Sequence, residues 1–212
     1  VYYDPTMRTA TRRDDGRAKA LLITPPVYDF AFYDLFAKPY GLLRIGNWLE
    51  KSGYEVAHIN SLSVNDRPST STLGLPKRRS NGTGHVFRTP AAWPVGSAPV
   101  PRQYSRYGII PASLRERIAT ALRTHVDLVC IGTGMTYWYP GVREAVRCVR
   151  SLDASVPIVA GGIYASLLPE HCSNACGVDY VAVGNDHLGL ISFLKHRGLP
   201  APDSPPNSDV LY

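Results

Sequence analysis

Five times along the chain a short apolar run is followed by a segment whose apolar residues recur at three- and four-residue steps, and few folds accept that alternation. Each pair reads as a strand and the helix that carries the chain back. Ala20-Leu21-Leu22-Ile23-Thr24, closed by Pro25-Pro26, suits a strand buried on both faces. Tyr40 to Ser52 follows with Leu42, Ile45 and Leu49 at helical spacing, Lys51 near the end and Gly53 just beyond it. Tyr54 to Ile59 is the second strand. After a long interruption, Ser113-Leu114-Arg115-Glu116 reads as a capping box opening a helix with Leu114, Ile118, Ala121 and Leu122 on one face. Val126 to Gly132, Val156 to Ala160 and Val178 to Gly184 are the remaining strands. Helices over Pro140 to Leu152, about Leu167 to Ala175, and His187 to His196 separate and follow them.

Apolar strands joined through amphipathic helices imply right-handed crossovers in one parallel sheet covered on both faces. The expected architecture is α/β, a doubly wound, five-stranded parallel sheet of flavodoxin-like (Rossmann-like) type, strand order 2-1-3-4-5, with a long basic Pro-rich insertion at about 63–110. Residues 1–18 are a polar lead-in, 19–198 the domain, and 199–212 a Pro- and Ser-rich tail. Ligands of such sheets sit beyond the carboxyl ends of the strands, here the loops after Thr24, Gly132, Ala160 and Val183.

Those loops exclude several uses. A phosphoacceptor domain needs carboxylates where Thr24-Pro25 and Gly132-Thr133 stand. A dinucleotide turn needs GxGxxG after the first strand, where Pro25-Pro26 forbids it, and a Walker lysine is absent as well. What remains is a rim of small residues: Thr24 and Pro25; Thr133, Gly134, Met135, Thr136 and Tyr137; Gly161, Gly162, Ile163 and Tyr164; Gly184 and Asn185. Glycines let a large flat ligand approach the backbone, and hydroxyls supply adaptable hydrogen bonds. The chemistry offered is binding, with no catalytic residue and no metal ligand expected. His171, Cys172 and Cys176 lie close together, but a zinc site wants a second pair of ligands, so packing is expected of them.

Apolar residues at 44% and charged residues at 19% exclude wholesale disorder. No apolar run is long enough to cross a membrane, the start of the chain is not a signal peptide, and the four cysteines are expected reduced, so a soluble cytoplasmic protein is expected. The net charge of +6 sits in one place: Arg67, Lys77, Arg78, Arg79, Arg88, Arg102 and Arg106 follow one another with no acidic residue between, leaving the rest near neutral. Six prolines keep that stretch from being a long helix or a central strand. With Phe87, Trp93, Tyr104 and Tyr107 among the arginines it has the composition of single-strand nucleic-acid binders. The alternative is an extended segment wrapped over the domain with its arginines toward solvent or a neighbouring domain, and the spread of the charges favours this.

The series Leu21 to Pro26, Tyr40-Gly41-Leu42-Leu43, Leu49 to Val56, Pro157 to Ala165 with Leu168-Pro169-Glu170, and Gly177 to Gly184 resembles the N-terminal cobalamin-binding domain of radical S-adenosylmethionine enzymes. The resemblance implies cobalamin, its nucleotide tail running among the glycine loops. It also implies a partner barrel C-terminal to this domain that holds a [4Fe-4S] cluster and S-adenosylmethionine, since no CxxxCxxC motif occurs here; the tail at 199–212 would be the linker to it. The loop from Pro25 to Ala37 contains no histidine, so cobalt is expected without a histidine below it, shielded by a side chain such as Met135 or Tyr137. Trp138 and Tyr139 are candidates for a face toward the barrel. Two alternatives stand beside this: a domain that keeps the fold without cofactor, and an RNA- or partner-binding module that uses the insertion.

Overall fold

The computed structural model describes residues 16–36, 38–94 and 101–202. In chain order the elements are β1 (Lys19–Thr24), β2 (Val27–Asp29), α1 (Tyr40–Lys51), β3 (Glu55–Asn60), α2 (Arg67–Leu73), β4 (Arg88–Pro90), β5 (Ser105–Tyr107), α3 (Pro111–Leu122), β6 (Leu128–Thr133), a 3₁₀ turn (Thr136–Trp138), α4 (Tyr139–Leu152), β7 (Ile158–Gly162), α5 (Ile163–Leu167), α6 (Pro169–Cys176), β8 (Tyr180–Ala182) and α7 (His187–His196). Five strands form a parallel sheet in the order β3-β1-β6-β7-β8, the doubly wound order expected of the five apolar runs.

Side-chain alternation along the strands builds a core on each face. Leu21, Ile23, Val129, Ile131, Ile158 and Ala160 point one way, toward Leu114 and Ile118 of α3, Val142, Val146 and Val149 of α4, and Cys172 of α6. Ala20, Leu22, Leu128, Cys130 and Val159 point the other way, toward Leu42, Trp48 and Leu49 of α1 and Leu190, Ile191 and Leu194 of α7. A strand buried on both faces cannot alternate polar and apolar, which is why these runs are continuous.

Three boundaries differ from the sequence pattern. The helix after the insertion starts at Pro111, with Ile110 before it and no side-chain cap. Pro supplies the helical φ at the first turn, and the Ser113 hydroxyl donates instead to Asp66 at 2.7 Å, so the expected capping box does not form. The helix expected around Leu167 to Ala175 is two, α5 and α6, broken where Pro169 opens a new first turn. Residues 199–202 start the expected linker; there the Tyr54 hydroxyl donates to the Pro200 carbonyl at 2.6 Å, and Leu199 and Ala201 pack on the α1/α7 core. The remainder of the tail lies outside the described residues.

The insertion is not merely an extended wrap. β4 and β5 pair antiparallel, and β5 pairs with β2, the short strand that follows Pro25-Pro26, giving a second sheet in the order β2-β5-β4. Two of its arginines, Arg106 and Arg78, turn inward, while Arg67, Arg79, Arg88 and Arg102 stay exposed. Arg106 is 3% exposed and its guanidinium grips Glu144 of α4 with three hydrogen bonds of 2.8–3.1 Å, while the Tyr28 hydroxyl donates to the same carboxylate at 2.9 Å. Arg78 pairs with Asp34 at 2.8 Å, and Arg88 donates to the Ser105 hydroxyl and lies over the Tyr107 ring. No helix among the described residues is long and apolar enough to cross a membrane.

Candidate functional site

On the face of the sheet toward α1 and α7, Leu22, Cys130 and Val159 fill the space beneath the helices. One step along each strand, on the same face, stand Thr24, Gly132 and Gly161, with Ala182 on the neighbouring β8. That loss of side-chain volume at adjacent strand ends opens a groove of about 550 Å³ between the carboxyl edge of the sheet and the two helices. Cys130 and Val159 line its base, Leu42, Ile45 and Leu190 its helical walls, and Lys38, Arg44, Asn185, Asp186 and His187 its mouth.

Most of the expected rim comes together here. Thr24, Pro25, Thr133, Gly134, Gly161, Gly162, Ile163, Gly184 and Asn185 all line the groove. Met135, Thr136 and Tyr137 do not; they sit on the turn beyond Gly134, with Met135 and Tyr137 largely exposed. Trp138 takes the place on the lining expected of Met135 or Tyr137. Tyr164 is fully buried in the opposite core, its hydroxyl 2.7 Å from His171 Nδ1. Trp138 and Tyr139 are each half-buried; Trp138 bonds Asp29, and Tyr139 packs edge-on against His171.

Two glycines serve different ends. Gly162 has φ +120, and a Cβ there would lie 2.3 Å from the Thr133 carbonyl oxygen, so its glycine is a requirement of the turn. A Cβ at Gly161 would meet nothing nearer than the Ala182 Cβ at 3.6 Å. The space at Gly161 therefore belongs to the groove, a cradle that a side chain would fill.

The polar groups of the groove are committed to structure. Thr24 Oγ1 is 2.9 Å from His58 Nε2, and Thr133 Oγ1 accepts the Ala165 N–H at 3.1 Å. Asp186 accepts from the Tyr180 hydroxyl and, as the cap of α7, from the Gly189 N–H; those bonds hold its carboxyl below the usual range. Burial, then the charge of Arg44, lowers His187. Cys130 is the one thiol on the lining, and burial pushes it up to about 12, so it is not a nucleophile at neutral pH. No cluster of His, Cys, Asp or Glu that could hold a metal occurs among the described residues. Cys172 and Cys176 pack in the core beside Tyr164, as free thiols. The groove, with its apolar helical walls and glycine edge, is built to enclose an apolar or planar group.

The sequence did not point to Lys38, Arg44, His187 and Leu190 as groove residues. Leu42 and Ile45 were legible as a helix face, but only the glycine step opposite them leaves that face uncovered.

No family model matches this chain, and no curated protein does. Among solved structures it is similar to a novel cobalamin-binding protein from Desulfitobacterium hafniense DCB-2, at 14% sequence identity and a TM-score of 0.45. The match covers 85% of this chain and 59% of that one, so this chain spans less than two thirds of that protein's length.

Proposed function

We propose that the groove holds cobalamin and that this chain is the cofactor-binding domain of a radical S-adenosylmethionine enzyme. The observation that carries the reading is the step from Leu22, Cys130 and Val159 to Thr24, Gly132 and Gly161, which opens about 550 Å³ at the one edge where such sheets bind ligands. At Gly161 the fold leaves room for a side chain that the chain does not place there, whereas Gly132 lies against Leu42. The residues present fit the group: apolar walls from Leu42, Ile45 and Leu190 suit the nucleotide tail, and Gly161 and Gly184 let a corrin approach the backbone.

Bound cobalamin would supply a low-valent cobalt able to accept and hand on a methyl group. This chain's part is to enclose and orient. The loop after β1 offers no histidine, so it would supply no imidazole to a bound metal. Gly162 and Thr133 fix the turn that edges the groove, and the Asp186 cap fixes the start of α7 at its mouth. The iron–sulfur cluster, S-adenosylmethionine and the radical step belong to a partner barrel outside this chain.

The test is a titration with hydroxocobalamin followed by visible absorption and by melting, since a ligand that binds only the folded state raises its stability with the logarithm of ligand concentration above Kd. Wild type should show a saturable shift to the base-off spectrum and a rising melting temperature. Gly161→Leu should lose both while melting like wild type without ligand. Gly162 is unsuited to the purpose, because any side chain there strains the turn itself. No saturable shift in wild type, or an equal one in Gly161→Leu, overturns the reading.

A further inference from the structure

Trp138 joins the two sheets of the molecule. On one side it packs with Phe32, Val27 and Tyr107 in the small cluster under the insertion, meeting the Phe32 ring edge-on at 5.6 Å. On the other it lines the groove beside Gly134, and so closely that a Cβ at position 134 would lie 2.7 Å from the indole ring. Its one polar atom is spent: the indole N–H donates to Asp29 Oδ2 at 2.8 Å, and the second oxygen of that carboxylate accepts the Phe30 N–H at 2.6 Å. Asp29 is itself fixed in β2, opposite Ser105 of the insertion. A half-buried aromatic held through its indole nitrogen by a carboxylate and packed closely against a residue with no side chain is a fixed wall, not a mobile flap.

We infer that Trp138 is the aromatic platform on which the ligand's planar ring system lies, and that Asp29 is the residue that positions it. The inference rests on the cobalamin reading and names the surface the macrocycle meets. An indole has no lone pair for a metal and here no spare donor, so the platform would contribute stacking and exclusion of water and no metal ligand. It also gives the basic insertion a task at the groove: β5 holds β2, β2 holds Asp29, and Asp29 sets the indole angle. Offset contact between an aromatic side chain and a conjugated ring contributes enough to change affinity by about tenfold.

The full chain labelled with 5-fluorotryptophan should give one fluorine resonance for each of its three tryptophans, with Trp138→Phe assigning the one of interest. On titration with hydroxocobalamin the Trp138 resonance should move most. Trp138→Leu should weaken binding about tenfold, and Trp138→Phe, which keeps a ring for the Phe32 cluster, by less. Asp29→Asn should shift the Trp138 resonance before any ligand is added and weaken binding in wild type but not in the Trp138→Leu background, the non-additivity of a residue acting through another. Saturable binding with an unmoved Trp138 resonance and equal affinity in Trp138→Leu overturns the platform while leaving the cobalamin reading intact. No saturable binding by wild type overturns both.

Discussion

From Leu21 to Ile23, Leu128 to Ile131 and Ile158 to Ala160 the parallel sheet buries only aliphatic side chains and one thiol. The small sheet a few ångströms away is fastened through charge: Arg106 on Glu144, Arg78 on Asp34, with Asp66 buried beneath the start of the insertion. The first kind of contact is non-directional and tolerates change, since each lost methylene removes its share of area. The second is conditional. A buried pair offsets its desolvation only while both partners are present, and removing one leaves the other buried and alone.

The largest effect should therefore come from Arg106→Ala, which strands Glu144 against α4: about 3–5 kcal/mol of stability, read by denaturant unfolding. Ile131→Ala in the main core should cost about 2–5 kcal/mol, in the same range. The two separate by hydrogen exchange. Ile131→Ala should lower protection across β1, β6 and β7 together, whereas Arg106→Ala should open β2, β4 and β5 first. Equal loss in all strands of the Arg106 variant would show that the two sheets unfold as one unit.

Asp66 comes next. Burial alone would raise its carboxyl, but hydrogen bonds from Ser69, Ser113 and Arg117 and from the Ser69 backbone outweigh it and bring the group to about 2. A carboxyl lowered in the folded state stabilises that state fully above its ordinary value near 4, and the contribution is lost as pH falls toward the folded value. The window is therefore about pH 4 down to 2, and the amount about 2 kcal/mol. Asp66→Asn should remove that pH dependence from the acid limb of a stability profile. An unchanged acid limb would place the dependence on another carboxylate.

The same division explains how much was legible in the sequence. Continuous apolar runs announce strands buried on both faces because nothing else in a globular chain needs them, so the five strands and their order followed from Ala20 to Thr24 and its successors. The glycine loops were legible as a rim because strand ends are where such sheets bind. The insertion misled. Arg78 and Arg106 read as part of a solvated or partner-facing stretch because their acidic mates, Asp34 and Glu144, lie outside it in sequence, and a local count of charge cannot see a partner that the fold brings back; the exposed Arg67, Arg79, Arg88 and Arg102 are as that reading expected. Tyr164 misled for a related reason: adjacency to Gly161-Gly162 placed it on the rim, while the first turn of α5 rotates it into the core beside His171. Trp138 was read as a candidate face toward the barrel and not as a groove residue, because its place there depends on Asp29, more than a hundred residues earlier.

The smallest effect is expected where composition promised the most. If the seven basic residues formed a nucleic-acid surface, single-stranded RNA would bind with a steep salt dependence, each neutralised phosphate releasing a counterion. Three of the seven are engaged, Arg78 with Asp34, Arg88 with Ser105 and the Tyr107 ring, and Arg106 with Glu144. Of the other four, Arg67 opens a short helix, Lys77 and Arg79 flank Arg78, and Arg102 lies on a bend before β5, so they are not gathered on one element. A fluorescent oligonucleotide titrated at 0.15 M salt should therefore give no complex tighter than roughly 10⁻⁴ M, the weak end of non-specific binding. Replacing Arg79 and Lys77 with serine should change neither binding nor melting by more than about 0.5 kcal/mol, as expected of exposed substitutions. A saturable, salt-steep complex lost in that pair of substitutions would mean that the insertion carries a surface of its own, and that charge in this chain serves both as internal fastening and as recognition.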